Sequence, residues 1–148
     1  MARHERYGTR DNTISRWHRT LSDRCQMVDI DACEYCKKCK SPIALIEYAR
    51  DVGQEFKPAT ITTRLANDAG IAAYVVLYST PDGWNPAVVE EWEQVDWPKV
   101  LTGFRVQQTA PTRTKFTHVS YDQFKDFVEQ LHEHDCRRAD MLRRVRFA

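Results

Sequence analysis

No stretch of this chain approaches the roughly 20 consecutive apolar residues that cross a bilayer. The opening residues, Met1 to Arg6, hold no apolar run of the kind a secretory signal needs. No membrane partner is expected, and a cytoplasmic protein is the reading. Net charge is nearly absent too: +1 gives no global attraction to nucleic acid. The cysteines number 5, an odd count that fits poorly with a secreted disulfide framework and better with reduced thiols or metal ligands. Neither low complexity nor an internal repeat is present.

What is there is ordinary globular material, 42% hydrophobic and 29% charged over 148 residues. A chain of this length buries roughly 68–70% of the surface it exposes when unfolded, so one domain spanning residues 1–148, with a core over about 13–135, is expected to fold alone. Charge is unevenly spread. Arg3, Arg6, Arg10, Arg16, Arg19 and Arg24 load the first segment, and Arg137, Arg138, Arg143, Arg144 and Arg146 load the last. Glu90, Glu91, Glu93 and Asp96 make the middle acidic. If the two ends meet, they form a basic rim beside an acidic pocket.

Ile14, Trp17 and Leu21, spaced by three and four, place one apolar face on a first helix over 13–21, capped by Asp11, Asn12 or Thr13. Residues 26–35 read as a strand with Val28 and Ile30 on one face and Asp29 and Asp31 on the other. A Cys- and Lys-rich turn over 36–42 leads to a partner strand over 43–49, apolar enough to be central. Residues 60–69 read as a helix turning Ile61, Leu65 and Ala69 inward and stopped by Gly70. A buried strand over 72–78 follows, parallel to a neighbour across that helix. Pro81 to Gly83 marks a turn, residues 103–107 a further strand, and Ser120 with Gln123 a capping box opening a helix with Phe124, Phe127, Val128 and Leu131 on one face. The fold class is α/β, a mixed central sheet flanked by helices.

A hairpin of these two strands brings Asp29 or Asp31 near Glu47. Two acidic oxygens at the head of a small sheet suit Mg²⁺ or Mn²⁺. A carboxylate ending so apolar a strand needs a partner or a metal. Asp31 is preferred to Asp29 because it lies nearer the hairpin turn. His18 is a candidate to meet phosphate or polarise a water, and Arg16 and Arg19 are candidates to contact the nucleic-acid backbone.

Asp29 and Asp31, a short turn, an apolar strand ending in Ile46 and Glu47, Arg16 to Arg19 before them and the helix and Tyr74 to Tyr78 strand after them together resemble the PD-(D/E)XK, or restriction-endonuclease-like, superfamily. The likeness is to its small nuclease-like members from actinobacteria and their phages and covers roughly residues 13–108. It implies a restriction-endonuclease-like core, Asp31 and Glu47 as Mg²⁺ ligands, DNA as the partner, a bacterial or phage-infected cell as the setting, and pairing into a homodimer. The superfamily's Glu-x-Lys signature is broken here, because Ala49 stands two residues after Glu47. Loss of such a charge-stabilising group costs on the order of 10²–10³ in rate. Arg50 points to the opposite strand face. Lys57, just before the 60–69 helix, is the preferred replacement, and a degenerate site is the remaining case. The expected activity is thus a metal-dependent DNA endonuclease, with a catalytically inactive nuclease-fold protein that binds DNA or a protein partner as its alternative.

Cys36 and Cys39 have the two-residue spacing of a zinc knuckle, with Cys33 and Cys25 as further ligands and Cys136 distant. Zn²⁺ here would stiffen the hairpin beside the carboxylates, a structural role. In a third reading the chain is a small zinc-stabilised adaptor.

Overall fold

A computed structural model of the chain describes residues 13–133 and Cys136. Arg3, Arg6, Arg10, Arg137, Arg138, Arg143, Arg144 and Arg146 lie outside the described residues, so of the expected basic rim only Arg16, Arg19 and Arg24 are described, all three exposed. The caps Asp11 and Asn12 are outside as well.

Five strands form one mixed sheet in the order β1 (Ala32–Tyr35), β2 (Pro42–Arg50), β3 (Ala72–Ser79), β4 (Gly103–Ala110), β5 (Thr117–Val119). β2 and β3 pair parallel, and every other neighbouring pair is antiparallel. The parallel pair requires a crossover, supplied by α2 (Thr60–Ala69). Side chains alternate along a strand, so the register sorts the centre of the sheet into two faces. Ile46, Val76 and Phe104 share one, covered by α4 (Tyr121–Leu131), where Phe104 stacks on Phe124 at 4.1 Å. Leu45, Glu47, Ala49, Ala73, Val75 and Leu77 share the other, beneath α2. Val75, Val76 and Leu77 are fully buried, each worth roughly 1.5–3 kcal/mol, so β3 is the strand on which neighbouring Glu47 is anchored.

Several local expectations are met. Gly70 ends α2 in the left-handed conformation (φ 70°), its amide reaching Asn67 O while the Ile71 amide reaches Ala66 O, as in a Schellman stop. Ser120 and Gln123 cap α4 reciprocally. Phe124, Phe127, Val128 and Leu131 are its less exposed face.

Other expectations are corrected. The first helix, α1 (Thr13–His18), is short, and Ile14 and Trp17 are exposed rather than packed on a face. The first strand begins at Ala32, not at residue 26, because the Asp31 side chain takes the Tyr48 amide (2.9 Å) that a longer β1 backbone would have bonded. The inward residues of α2 are Thr62 and Ala66, while Ile61 and Leu65 face solvent. Small residues let the helix lie close over Leu45 and Ala73. β4 continues to Ala110, and β5 is a strand that its three residues do not announce. Residues 84–97, whose sequence pattern assigns no element, form two 3₁₀ turns, Pro86–Val88 and Trp92–Gln94, before α3 (Trp97–Val100), with Trp92 stacked on Trp97 at 5.8 Å.

Candidate active site

Glu47 sits on the α2 face of β2 with 5% of its surface exposed. A buried carboxylate must be met by donors, and both oxygens are. Thr62 Oγ1, from the inward face of α2, donates to Oε1. Lys57 Nζ donates to Oε2 at 3.2 Å. The same ammonium lies 3.8 Å from Asp31 Oδ2. Asp31 precedes β1, and since Ala32 pairs with Ile46, the antiparallel register carries it alongside Glu47. Asp31, Glu47 and Lys57 therefore converge, though they come from three different segments. They open into a cavity of about 380 Å³, also lined by Asp29, Thr60 and Thr62.

Lys57 reaches this point from a loop between β2 and α2 that is itself tied down. Arg105 of β4 grips Asp51 with two hydrogen bonds of 2.7 Å and donates a third, 2.8 Å long, to Gln54 O. Asp51 in turn accepts the Gly53 amide at 2.9 Å, where φ of 82° suits glycine. The Phe116 ring lies 5.2 Å from the guanidinium carbon. The hydrogen bonds from Arg105 hold the Asp51 carboxyl at about 2, well below the usual carboxylate value, and the same pairing raises Arg105. A planar bidentate clamp of this kind fixes the loop that delivers Lys57.

Ala49, where the expected motif would carry its lysine, packs against Ala59, Val75 and Leu77. Arg50 is exposed at the end of β2. Burial raises the Tyr48 hydroxyl to about 12, with Glu34 adding to the effect. His18 and Arg19 line a separate cavity of about 250 Å³ with Asp23 and Gln26, and Arg16 is exposed on α1. None of the three lines the Glu47 cavity. Thr62 is the site residue that the sequence did not reveal. Its signal was a threonine in the helix following a strand whose buried glutamate lacked a donor.

A second cluster lies at the opposite end of β2. The sulfurs of Cys36, Cys39 and Cys136 are all within 4.8 Å of one another, so these three cysteines could hold a metal ion. Cys25 and Cys33 are not in the group and are exposed, which corrects the expected ligand set. Its place is also corrected: the 36–41 turn stands at the Pro42 end of β2, while Glu47 lies near the Arg50 end. Hydrogen bonding to Cys36, followed by burial and by Cys39, pushes the Cys136 thiol up to about 11.

No protein-family model matches this chain, and comparison with curated proteins and with solved structures finds no match. No helix among the described residues is long and apolar enough to cross a membrane.

Proposed function

We propose that this chain is a Mg²⁺- or Mn²⁺-dependent DNA endonuclease on a restriction-endonuclease-like core. The observation that carries the reading is the convergence of Asp31, Glu47 and Lys57 on one cavity, with the lysine delivered from a different segment than Glu-x-Lys would use. The donor set fits a hard divalent cation. Two carboxylates face one point already holding a positive charge, and the cavity leaves room for the waters that Mg²⁺ retains. Asp31 and Glu47 would hold the metal, with Asp29 beside them. When bound, the ion neutralises charge on the phosphate and lowers the pKa of water.

The chain's own residues do the rest. Thr62 fixes one oxygen of Glu47, and Lys57 meets the other on the cavity side. Lys57 positions the attacking water and stabilises the negative charge that grows on the phosphate oxygens. Water oxygen bonds to phosphorus, the phosphorus–sugar oxygen bond breaks, and the water proton passes to solvent while the leaving oxygen gains one. Arg16 and Arg19, both exposed, are assigned to backbone phosphate. His18 is given no chemical step, since it does not line the Glu47 cavity where the reaction would occur. Two copies pairing to cut both strands belongs to the same reading. Structural Zn²⁺, the other metal expected, belongs to the cysteines at the far end of β2 and plays no part in hydrolysis.

Plasmid cleavage with Mg²⁺ or Mn²⁺ tests the reading, comparing wild type with Glu47→Ala and Ala49→Lys. Wild type should nick or linearise DNA and Glu47→Ala should not. Ala49→Lys should bring no gain, because the ammonium is already supplied. Silence in wild type rescued by Ala49→Lys would mean that Lys57 does not serve. Silence in all variants, with DNA still bound, would favour the inactive binding protein, in which Lys57 simply neutralises the two acids.

A further inference from the structure

The turn between β1 and β2 folds on itself. The Cys36 amide donates to Ser41 O at 2.9 Å and the Lys40 amide to Cys36 O at 2.8 Å. Lys40 adopts φ of 61°, the left-handed region that lysine enters only at a cost. The result is a knuckle that brings Cys36 and Cys39 together. A third sulfur arrives from far along the chain, with Cys136 Sγ 3.5 Å from Cys36 Sγ, and all three cysteines are half-buried.

We propose that Cys36, Cys39 and Cys136 form a thiolate Zn²⁺ site that fastens the segment after α4 to the β1–β2 knuckle. The sulfur spacing carries the choice of chemistry. Ligands about 2.3 Å from a tetrahedral zinc stand about 3.8 Å from one another. The observed 3.5 Å contact, within a group spanning at most 4.8 Å, brackets that value. A disulfide would need about 2.05 Å. Soft sulfur ligands also select zinc over the hard Mg²⁺ of the carboxylate site. On binding, the thiol protons go to solvent. Three thiolates on Zn²⁺ carry one net negative charge, which Lys37, Lys38 and Lys40 surround in sequence. The fourth tetrahedral position is left to a donor outside this group.

The location gives the site its purpose. β1 is an edge strand, and edges are prone to pair with other chains unless covered. His132, just past α4, already meets Glu34 of β1 at 2.7 Å. A metal on Cys136 adds a second tie between the same two parts, closing a loop of 100 residues. The site stands apart from the carboxylates, so it does not depend on the nuclease reading.

Metal analysis of the full chain, purified without chelator after expression with added zinc, tests this. About one zinc per chain is expected. Cys39→Ser and Cys136→Ser should each lose it, Cys136→His should recover it, and Cys25→Ser and Cys33→Ser should retain it. Co²⁺ in place of zinc should give sulfur-to-metal charge-transfer absorption that Cys136→Ser weakens. The proposal is overturned by wild type holding neither metal, by undiminished zinc in Cys136→Ser, or by a Cys36–Cys136 disulfide in freshly isolated protein.

Discussion

Glu47 is tolerated in its buried position because Thr62 and Lys57 take one oxygen each. Thr62→Val keeps the shape of the side chain and removes the donor, leaving Oε1 without its partner. This should cost about 1–3 kcal/mol, read by urea denaturation. Asp51 makes a pH-dependent contribution. Its carboxyl is held at about 2 against an ordinary 3.8, which contributes about 2 kcal/mol. That stability is present in full above pH of about 4 and is lost as pH falls through about 2. Asp51→Asn should therefore lower the thermal midpoint at neutral pH and flatten its decline in acid. It should also slow cleavage by loosening the loop that carries Lys57. At this scale much of the site was legible. Asp31 and Glu47 follow from a hairpin whose buried strand ends in an acid, while Lys57, a lysine just before the next helix, is singled out through the resemblance. Thr62 was not legible, because its neighbours Ile61 and Leu65 offered a more apolar helix face. Arg105 and Asp51, separated by 54 positions, carry no local sign of meeting.

Hydrophobic periodicity gave α4 correctly, since Phe124, Phe127 and Leu131 outweigh any other face and the Ser120 box marks its start. It misphased α2. Close approach to the sheet favours small residues, and a threonine with a buried partner is not polar in effect. Ala66→Leu should thus destabilise by about 1–3 kcal/mol through overpacking against Leu45 and Ala73, although it makes the helix more apolar. Ser120→Ala should cost about 1 kcal/mol through loss of the cap. Both are read from denaturation midpoints. β1 was read too long because alternation of Met27 to Asp31 looks like a strand, while the Asp31 side chain ends the ladder at Ala32. β5, a short strand on the far edge, depends on pairing with β4 and has little pattern of its own.

Across the whole molecule, the sheet separates two chemistries. Carboxylates and Lys57 gather near the Arg50 end of β2, and the cysteine cluster stands beyond its Pro42 end. The sequence placed Cys36 and Cys39 together by spacing alone, but Cys136 could be found only through the fold that returns α4 to β1. Two independent metal dependences are expected. Removing zinc should lower the thermal midpoint, while Glu47→Ala should leave zinc content unchanged. The central claim, that the Asp31, Glu47 and Lys57 cluster hydrolyses DNA, is tested most directly by the Mg²⁺-dependent cleavage rate of wild type against Lys57→Ala, with folding of both checked by circular dichroism. A loss on the order of 10²–10³ in the variant is predicted. Equal rates in the two proteins, or no metal-dependent cleavage by wild type, would contradict it.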